Sequence, residues 1–223
     1  MPHSTPTTNS VRRWRIALGV VAALFILGAV AWKFGFALLG LTPVGECTVT
    51  KGSETSQISH EEAESLFEQS FESGEPLGRT VLSCSYTPRF GGNDLTLNDR
   101  GLTSSAQSMD EAVRAQFGRI PDGGYQPGGV TTGHIPGSAH YEGRAIDYFF
   151  RPYTREKKRL AGWQLAQWAV LNAEKLDIST IIFDDHIWML NSSAQGWQKY
   201  THPSGKTDNP ILRHLDHVHI DVR

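Results

Sequence analysis

The spacing of hydrophobic residues changes along the chain, and each spacing predicts either a helix or a strand. Residues 47–50 alternate between polar and apolar side chains, as half-buried strands do. Ser59 and Glu62 have the spacing of a capping box before an apolar stripe, which predicts a helix over about residues 60–72. A second strand is predicted over residues 80–84.

The second half of the chain has a longer helical pattern and more strands. Ser108 and Glu111 form another capping-box pattern, which predicts a short helix ending near Gly118. Residues 119–139 hold six glycines and three prolines and are predicted to form a long loop, a kind of segment that is often functional. Further predicted elements are a strand over 144–150, a helix over 155–176, a hairpin of 180–183 with 187–190, and a strand over 216–222.

The N-terminus has the pattern of a membrane anchor. Three arginines precede an uncharged run that begins at Ile16, and apolar residues continue past Lys33 to Leu41. This pattern predicts a cytoplasmic tail over residues 1–15 and a transmembrane helix over 16–41. The positive-inside rule then predicts a single-pass protein of the cell membrane, with its N-terminus in the cytoplasm and its body outside.

Two alternatives to the anchor stay open. The arginines could be the n-region of a signal peptide that is cleaved after the small residues 29–31. The apolar run could instead be a buried core helix, although the flanking arginines disfavour it. The anchor and the signal peptide both predict that residues 46–223 lie outside the cytoplasm.

The two cysteines agree with an oxidising compartment. Cys47 and Cys84 are the only cysteines, and both follow the apolar run. We expect them to form a disulfide, the alternative being two unrelated buried thiols. The predicted organisation is therefore a small disulfide-bonded module over 46–86, a linker over 87–107 and a larger domain over 108–223.

Composition excludes several classes of protein. Hydrophobic residues make up 39% and charged residues 20% of the 223, which is ordinary for a globular protein and excludes disorder, collagen and a multi-span transporter. Residues 46–223 carry 17 basic and 23 acidic residues, a net charge of −6. An acidic domain binds a phosphate backbone poorly, so we expect no nucleic-acid partner.

Residue types that bind metals are concentrated in segments 138–147 and 214–221, which hold four of the nine histidines. If the second segment is a strand, His217, His219 and Asp221 share one face. His140 precedes a turn at a glycine and can fold back towards Asp147. These two residues and one terminal histidine would make a three-ligand site, the pattern of a catalytic zinc with an open position.

The alternative is a polar pair of strands whose histidines have hydrogen-bond partners and bind no metal. Because His217 and His219 lie about 7 Å apart along one strand face, we do not expect both to bind one ion. The second histidine would then support the first or act as an acid or base.

A family resemblance sharpens this prediction. Residues 138–147 contain Ser138, His140, Gly143, Ala145 and Asp147 in the S-x-H-x-x-G-x-A-x-D pattern of the D-Ala-D-Ala metallopeptidases. Residues 140–145 also resemble the Hedgehog signalling domain, which shares that fold, and the terminal H-x-H resembles the closing motif of the family. The chain is also similar to actinobacterial-type envelope domains that end in Asp-His-Val-His. The resemblance covers roughly residues 108–223.

The resemblance implies an α+β fold, with an antiparallel sheet carrying the metal and helices packed behind it. It also implies that His140, Asp147 and His219 bind Zn²⁺ and that His217 lines the site. Ser138 and Arg144 would contact substrate, although Arg144 could equally hold the turn.

One position departs from the pattern. The peptidases have a glutamate three residues before the last ligand as general base, where this chain has Asp216, and Hedgehog-like domains have one six residues before, where this chain has Arg213. Aspartate is one methylene shorter, so its reach is in question. The alternatives for the base are His217 and Asp185.

These observations predict a membrane-anchored, extracytoplasmic zinc peptidase of the D,D- or L,D- type that acts on peptidoglycan stem peptides. The first alternative is a non-catalytic zinc module of the same fold that binds a cell-wall component. The second is a structural envelope protein whose histidines bind no metal.

Overall fold

The computed structural model describes residues 42–91, 94–205 and 208–223, and within them residues 42–223 form one compact unit. The helices are α1 (His60–Ser73), α2 (Ser104–Phe117) and α3 (Glu156–Leu171). The strands are β1 (Glu46–Lys51), β2 (Glu54–Ser59), β3 (Leu82–Cys84), β4 (Asp122–Gly123), β5 (Ala145–Phe149), β6 (Ile178–Phe183), β7 (His186–Met189), β8 (Gln198–Lys199) and β9 (His217–Val222).

The strands form two antiparallel sheets, so the predicted α+β class with antiparallel sheets is confirmed. The small sheet has the order β2-β1-β3, and the six-stranded sheet has the order β4-β5-β9-β6-β7-β8. The predicted hairpin is β6-β7, whose turn consists of Asp184 and Asp185 with φ values of 50° and 63°. Two residues with positive φ form the tight turn whose twist matches that of the strands.

One hydrophobic core joins the two sheets. Helix α3 contacts β3 and α1 as well as β6 and β9, and it buries Trp163 and Leu165 completely. Gln167 on this helix is also buried, and its side chain accepts a hydrogen bond from the backbone N–H of Leu82 at 2.7 Å and donates one to the carbonyl of Gly78 at 2.8 Å. Segment 46–86 therefore packs into the same core as the larger sheet.

The predicted disulfide is confirmed. Cys47 on β1 lies directly opposite Cys84 on β3, and their sulfur atoms are bonded. The bond closes a loop with a sequence separation of 37 residues, which stabilises the fold by about 4 kcal/mol in the chain-entropy model.

Two predicted helices have different bounds in the structure. Helix α2 begins after Thr103, whose hydroxyl accepts from the N–H of Ala106, so the capping-box pattern at Ser108 lies inside the helix. Helix α3 ends at Leu171, before the predicted end at 176. The side chain of Asn172 bonds a carbonyl of the last turn and the chain then bends into β6. By contrast, the capping box of α1 forms as predicted.

The prediction of a membrane-anchored architecture requires a correction. The predicted tail (1–15) and transmembrane helix (16–41) lie outside the described residues. Within the described part, no helix is long and apolar enough to cross a bilayer. The longest, α3, has 16 residues, whereas a span needs about 20 apolar ones. The predictions of a single-pass architecture and of a cell-membrane localisation are therefore wrong for the described residues. These residues form an α+β fold.

Candidate metal centre

Strands β5 and β9 form the floor of the candidate site. They pair in a register that sets Asp147 directly opposite His219. Along β9, Val218, Ile220 and Val222 belong to the hydrophobic core, while His217, His219 and Asp221 face a cleft. The predicted division of this strand into an apolar and a polar face is confirmed.

The turn that precedes β5 brings His140 to the same place. His140 lies in a short 3₁₀ helix (Ala139–Glu142) that begins after Ser138 and ends at Gly143. Gly143 has a φ of 66°, and a Cβ atom there would lie 2.6 Å from the carbonyl oxygen of Gly101. Only glycine fits this turn, which folds His140 back over the sheet.

Three potential ligand atoms converge at this point. His140 Nε2 lies 3.1 Å from His219 Nδ1 and 3.3 Å from Asp147 Oδ1, and the last two atoms are 2.9 Å apart. Ligands bound tetrahedrally to zinc at ordinary bond lengths are separated by about 3.3 Å. The three atoms therefore have nearly the spacing that a tetrahedral zinc ion requires.

The other ring nitrogen of each histidine lies close to an oxygen atom that can accept from it. His140 Nδ1 lies 2.8 Å from the carbonyl oxygen of Gly124, which can only accept, so this nitrogen carries a proton. His219 Nε2 lies 2.7 Å from Asp221 Oδ1. Such outer partners set the tautomer of metal-binding histidines and leave the inner nitrogen free to bind the ion.

The site requires a positive charge. Burial would raise the pKa of Asp147, but hydrogen bonds from His140 and His219 hold it well below its usual value, so Asp147 is ionised. Burial would lower the pKa of His219, but the carboxylates of Asp221 and Asp147 outweigh burial and raise it to about 10. Without a metal, the protonated His219 therefore provides the positive charge that a divalent ion would otherwise provide.

Asp216 has a different place from the one that a general base needs. Its Oδ2 accepts from Arg151 Nε at 2.7 Å, and its Oδ1 lies 2.8 Å from His217 Nδ1. Both oxygens are occupied, and the residue is buried without lining the cleft. Burial would raise the pKa of Asp216, but these two partners lower it.

The same contact orients His217. Because the ionised Asp216 accepts from His217 Nδ1, the other nitrogen, Nε2, is left free, and it lies 3.8 Å from Asp147 Oδ1. His217 thus lies beside the three converging atoms without being one of them, as the strand spacing predicts.

Three further histidines, His134, His202 and His214, line the cleft, and the sequence reasoning gave none of them a role. His214 is 4.6 Å from His217 between ring centroids, and burial together with the neighbouring histidines lowers its pKa to about 2. His134 stacks on His140 at 4.0 Å, and its pKa is lowered, mainly by burial. His214 belongs to the histidine-rich terminal segment, whereas His134 lies in the glycine-rich loop, where only the length of the loop gave a signal.

The remaining predicted site residues divide between the cleft and the surface. Ser138 lines the cleft, and its hydroxyl accepts from the backbone N–H of His140 at 3.4 Å. Arg144 forms an ion pair with Glu142 and donates to the carbonyl of Val222 at 2.5 Å, outside the residues that line the cleft. Arg144 therefore holds the turn.

Asp185, the other alternative for a base, is held elsewhere. It forms a two-point ion pair with Arg213, and neither residue lines the cleft. Apart from Asp147, the described carboxylate that lines the cleft is Asp221, whose Oδ1 lies 2.7 Å from His219 Nε2.

The cleft has a volume of about 650 Å³ and mixed chemistry. Its aliphatic and aromatic lining includes Ile135, Phe149, Ile182, Tyr200, Ile211 and Leu212.

A second group of metal-binding residue types consists of Cys47, His60 and Cys84. The two sulfur atoms are bonded to each other, so no thiolate is available there.

Comparison with known proteins gives one family. The family model described as VldE, C-terminal domain, matches residues 98–211, just over half of the chain. This range includes His140 and Asp147 and ends before His219. No curated protein and no solved structure matches, and nothing found links the chain to Hedgehog or peptidase families, so that resemblance stays a prediction. The chain belongs to the VldE C-terminal domain family.

Proposed function

We propose that this domain is a zinc-dependent, peptidase-like hydrolase whose metal ligands are His140, Asp147 and His219. The observation that carries the proposal is the convergence of one carboxylate oxygen and two imidazole nitrogens within 3.3 Å of one another. Without a metal, a proton on His219 balances the charge of Asp147, and a zinc ion would replace that proton. Two imidazoles and one carboxylate are ligands that zinc accepts, and three of them leave one position for a reactant.

Zinc in such a site would make water more acidic and polarise a carbonyl group. The residues of the chain would supply the rest. His217, held by Asp216, has a free Nε2 at the edge of the ligand set and would accept the proton of the attacking water. Asp216 would then be a positioning residue, and its negative charge would stabilise the protonated imidazole.

The substrate in this proposal is an amide bond of a peptidoglycan stem peptide. Support comes from the S-x-H-x-x-G-x-A-x-D pattern over residues 138–147, whose histidine and aspartate lie together in the cleft. The cleft volume of about 650 Å³ is in the range of sites that bind ligands of a few residues.

A second candidate function is a zinc module that binds a cell-wall peptide without cleaving it. The observation that favours it is that Asp216 and Asp185, the two carboxylates considered as general base, are both engaged by arginines. Zinc binding would be the same in both functions, and only turnover separates them.

The test is digestion of purified peptidoglycan stem peptides by the zinc-loaded chain, followed by mass spectrometry. We expect cleavage by the wild type, its loss together with zinc in His140→Ala, and at least a hundredfold loss with zinc retained in His217→Gln. His60→Gln, a histidine change outside the cleft, is the matched control and should keep both properties. No cleavage by zinc-loaded wild type would favour the binding module, and no bound zinc would contradict both functions.

A further inference from the structure

Arg151 lies at the rim of the cleft just beyond β5, and its side chain is 55% exposed. Two contacts fix it there. Its Nε donates to Asp216 Oδ2 at 2.7 Å, and its guanidinium carbon lies 4.1 Å above the ring of Phe149. No described residue is hydrogen-bonded to its two terminal amino groups.

An arginine in this state is prepared to bind an anion. The contacts with Asp216 and Phe149 remove much of the freedom that a long side chain loses on binding. The two terminal amino groups form one edge of a planar fork, which matches the two oxygens of a carboxylate. Among the described residues that line the cleft, Arg151 is the one lysine or arginine.

The rest of the cleft indicates an organic ligand with an apolar part. Ile135 and Ile211 are 39% and 55% exposed, and both line this cleft. Large aliphatic side chains exposed in a concave site mark a surface that a ligand covers. An inorganic anion would use Arg151 but would leave these side chains in water.

We propose that Arg151 is a carboxylate subsite, so that the cleft selects peptides with a free carboxylate and an apolar side chain. This inference rests on the proposed function in taking the ligand to be a peptide. The carboxylate belongs to the peptide's own C-terminus or to an acidic side chain, and the test separates these two sources.

The test measures the binding of three peptides to the full chain by isothermal titration calorimetry. The probes are N-acetyl-Leu-Ala with a free C-terminus, the same peptide as its C-terminal amide, and N-acetyl-Leu-Glu-amide. Zinc content is measured first, and each titration is run on the zinc-loaded and the metal-free protein. Failure of the metal proposal is then seen as missing zinc, independently of the preference for carboxylate.

For the wild type we expect one of the two carboxylates to bind about tenfold to a hundredfold more tightly than the neutral amide. The carboxylate that does so identifies the source. In Arg151→Gln the preference should fall below about threefold. Arg155→Gln, the same change at an exposed arginine that does not line the cleft, should keep it.

Arg151→Lys guards against a folding defect in the glutamine variant. Lysine keeps the charge and can still contact Asp216 but lacks the fork, so the preference should decrease without disappearing. Equal binding of all three peptides by the wild type would overturn the proposal. A preference that is unchanged in both Arg151 variants would also overturn it, because the carboxylate would then bind elsewhere, for example to zinc.

Discussion

Two clusters in the described part of the chain each bring three potential metal-binding residues together, and they differ in how their polar atoms are satisfied. Cys47 and Cys84, next to His60, satisfy each other through a covalent bond. His140, Asp147 and His219 have no such bond, and their converging atoms are held together by hydrogen bonds and charge alone. The comparison teaches that residue types alone do not define a metal site. What matters is whether the inner atoms can exchange their protons for a metal ion.

The largest expected effect is the loss of the metal from the open cluster. In His219→Ala, zinc measured by elemental analysis should fall from about one per chain to nearly none, because two ligands hold the ion poorly. His60→Ala, the equivalent change in the closed cluster, should leave zinc unchanged. Equal zinc loss in both variants would break the comparison.

The next effect concerns the closed cluster. Replacing both cysteines in a Cys47→Ser, Cys84→Ser variant should lower the free energy of unfolding by about 2–4 kcal/mol, because the unfolded chain gains freedom. Zinc stoichiometry of the folded variant should stay at that of the wild type. Denaturant unfolding and elemental analysis check the two statements, and a loss of zinc with the fold intact would show that the clusters depend on each other.

A smaller effect is expected from the outer partner of a ligand. Asp221→Asn keeps the size of the side chain at 2.7 Å from His219 Nε2 but removes its charge. Zinc affinity should fall about tenfold to a hundredfold, as for other outer partners of metal-binding histidines. A competition titration with a chelator measures it, and affinity equal to the wild type would mean that Asp221 does not hold the ring.

The smallest effect is on the pH dependence of stability. Without metal the pKa of His219 is raised to about 10. The contribution of its charge to the free energy of unfolding is therefore complete below the unfolded pKa of about 6.5, and it is lost as the pH rises to 10. The free energy of unfolding of the metal-free protein should therefore decrease by on the order of 1 kcal/mol or more between pH 6.5 and 10.

The zinc-loaded protein should lack that His219-dependent decrease, because the ion replaces the proton. Thermal unfolding of both forms between pH 6.5 and 10 measures the difference. An equal loss of stability in both forms would contradict a role for the His219 charge. As a control, metal-free His219→Gln should lose less stability over this pH range than the metal-free wild type.

Much of the fold was predictable because it depends on local patterns. Alternation in β9 set its apolar face against the core, and the capping box at Ser59 marked the start of α1. The bounds of α2 and α3 were not predictable in the same way. A second capping pattern inside α2 competed with Thr103, and the end of α3 depends on a side-chain bond from Asn172.

The site was predictable only as far as residue spacing determines geometry. The spacing of His140 and Asp147 around a glycine turn brought both to one place. The role of Asp216 could not be predicted, because its contact with Arg151 joins residues 65 positions apart in sequence. The stacking of His134 on His140 depends on the path of a long loop. A pattern of neighbours along the chain does not contain such contacts.

The central claim is that one zinc ion binds three specific atoms, and anomalous diffraction from crystals of the zinc-loaded chain tests it most directly. We expect one peak about 2.0–2.2 Å from His140 Nε2, Asp147 Oδ1 and His219 Nδ1. A peak bound to His217 without His219, or no peak in this cleft, would contradict it.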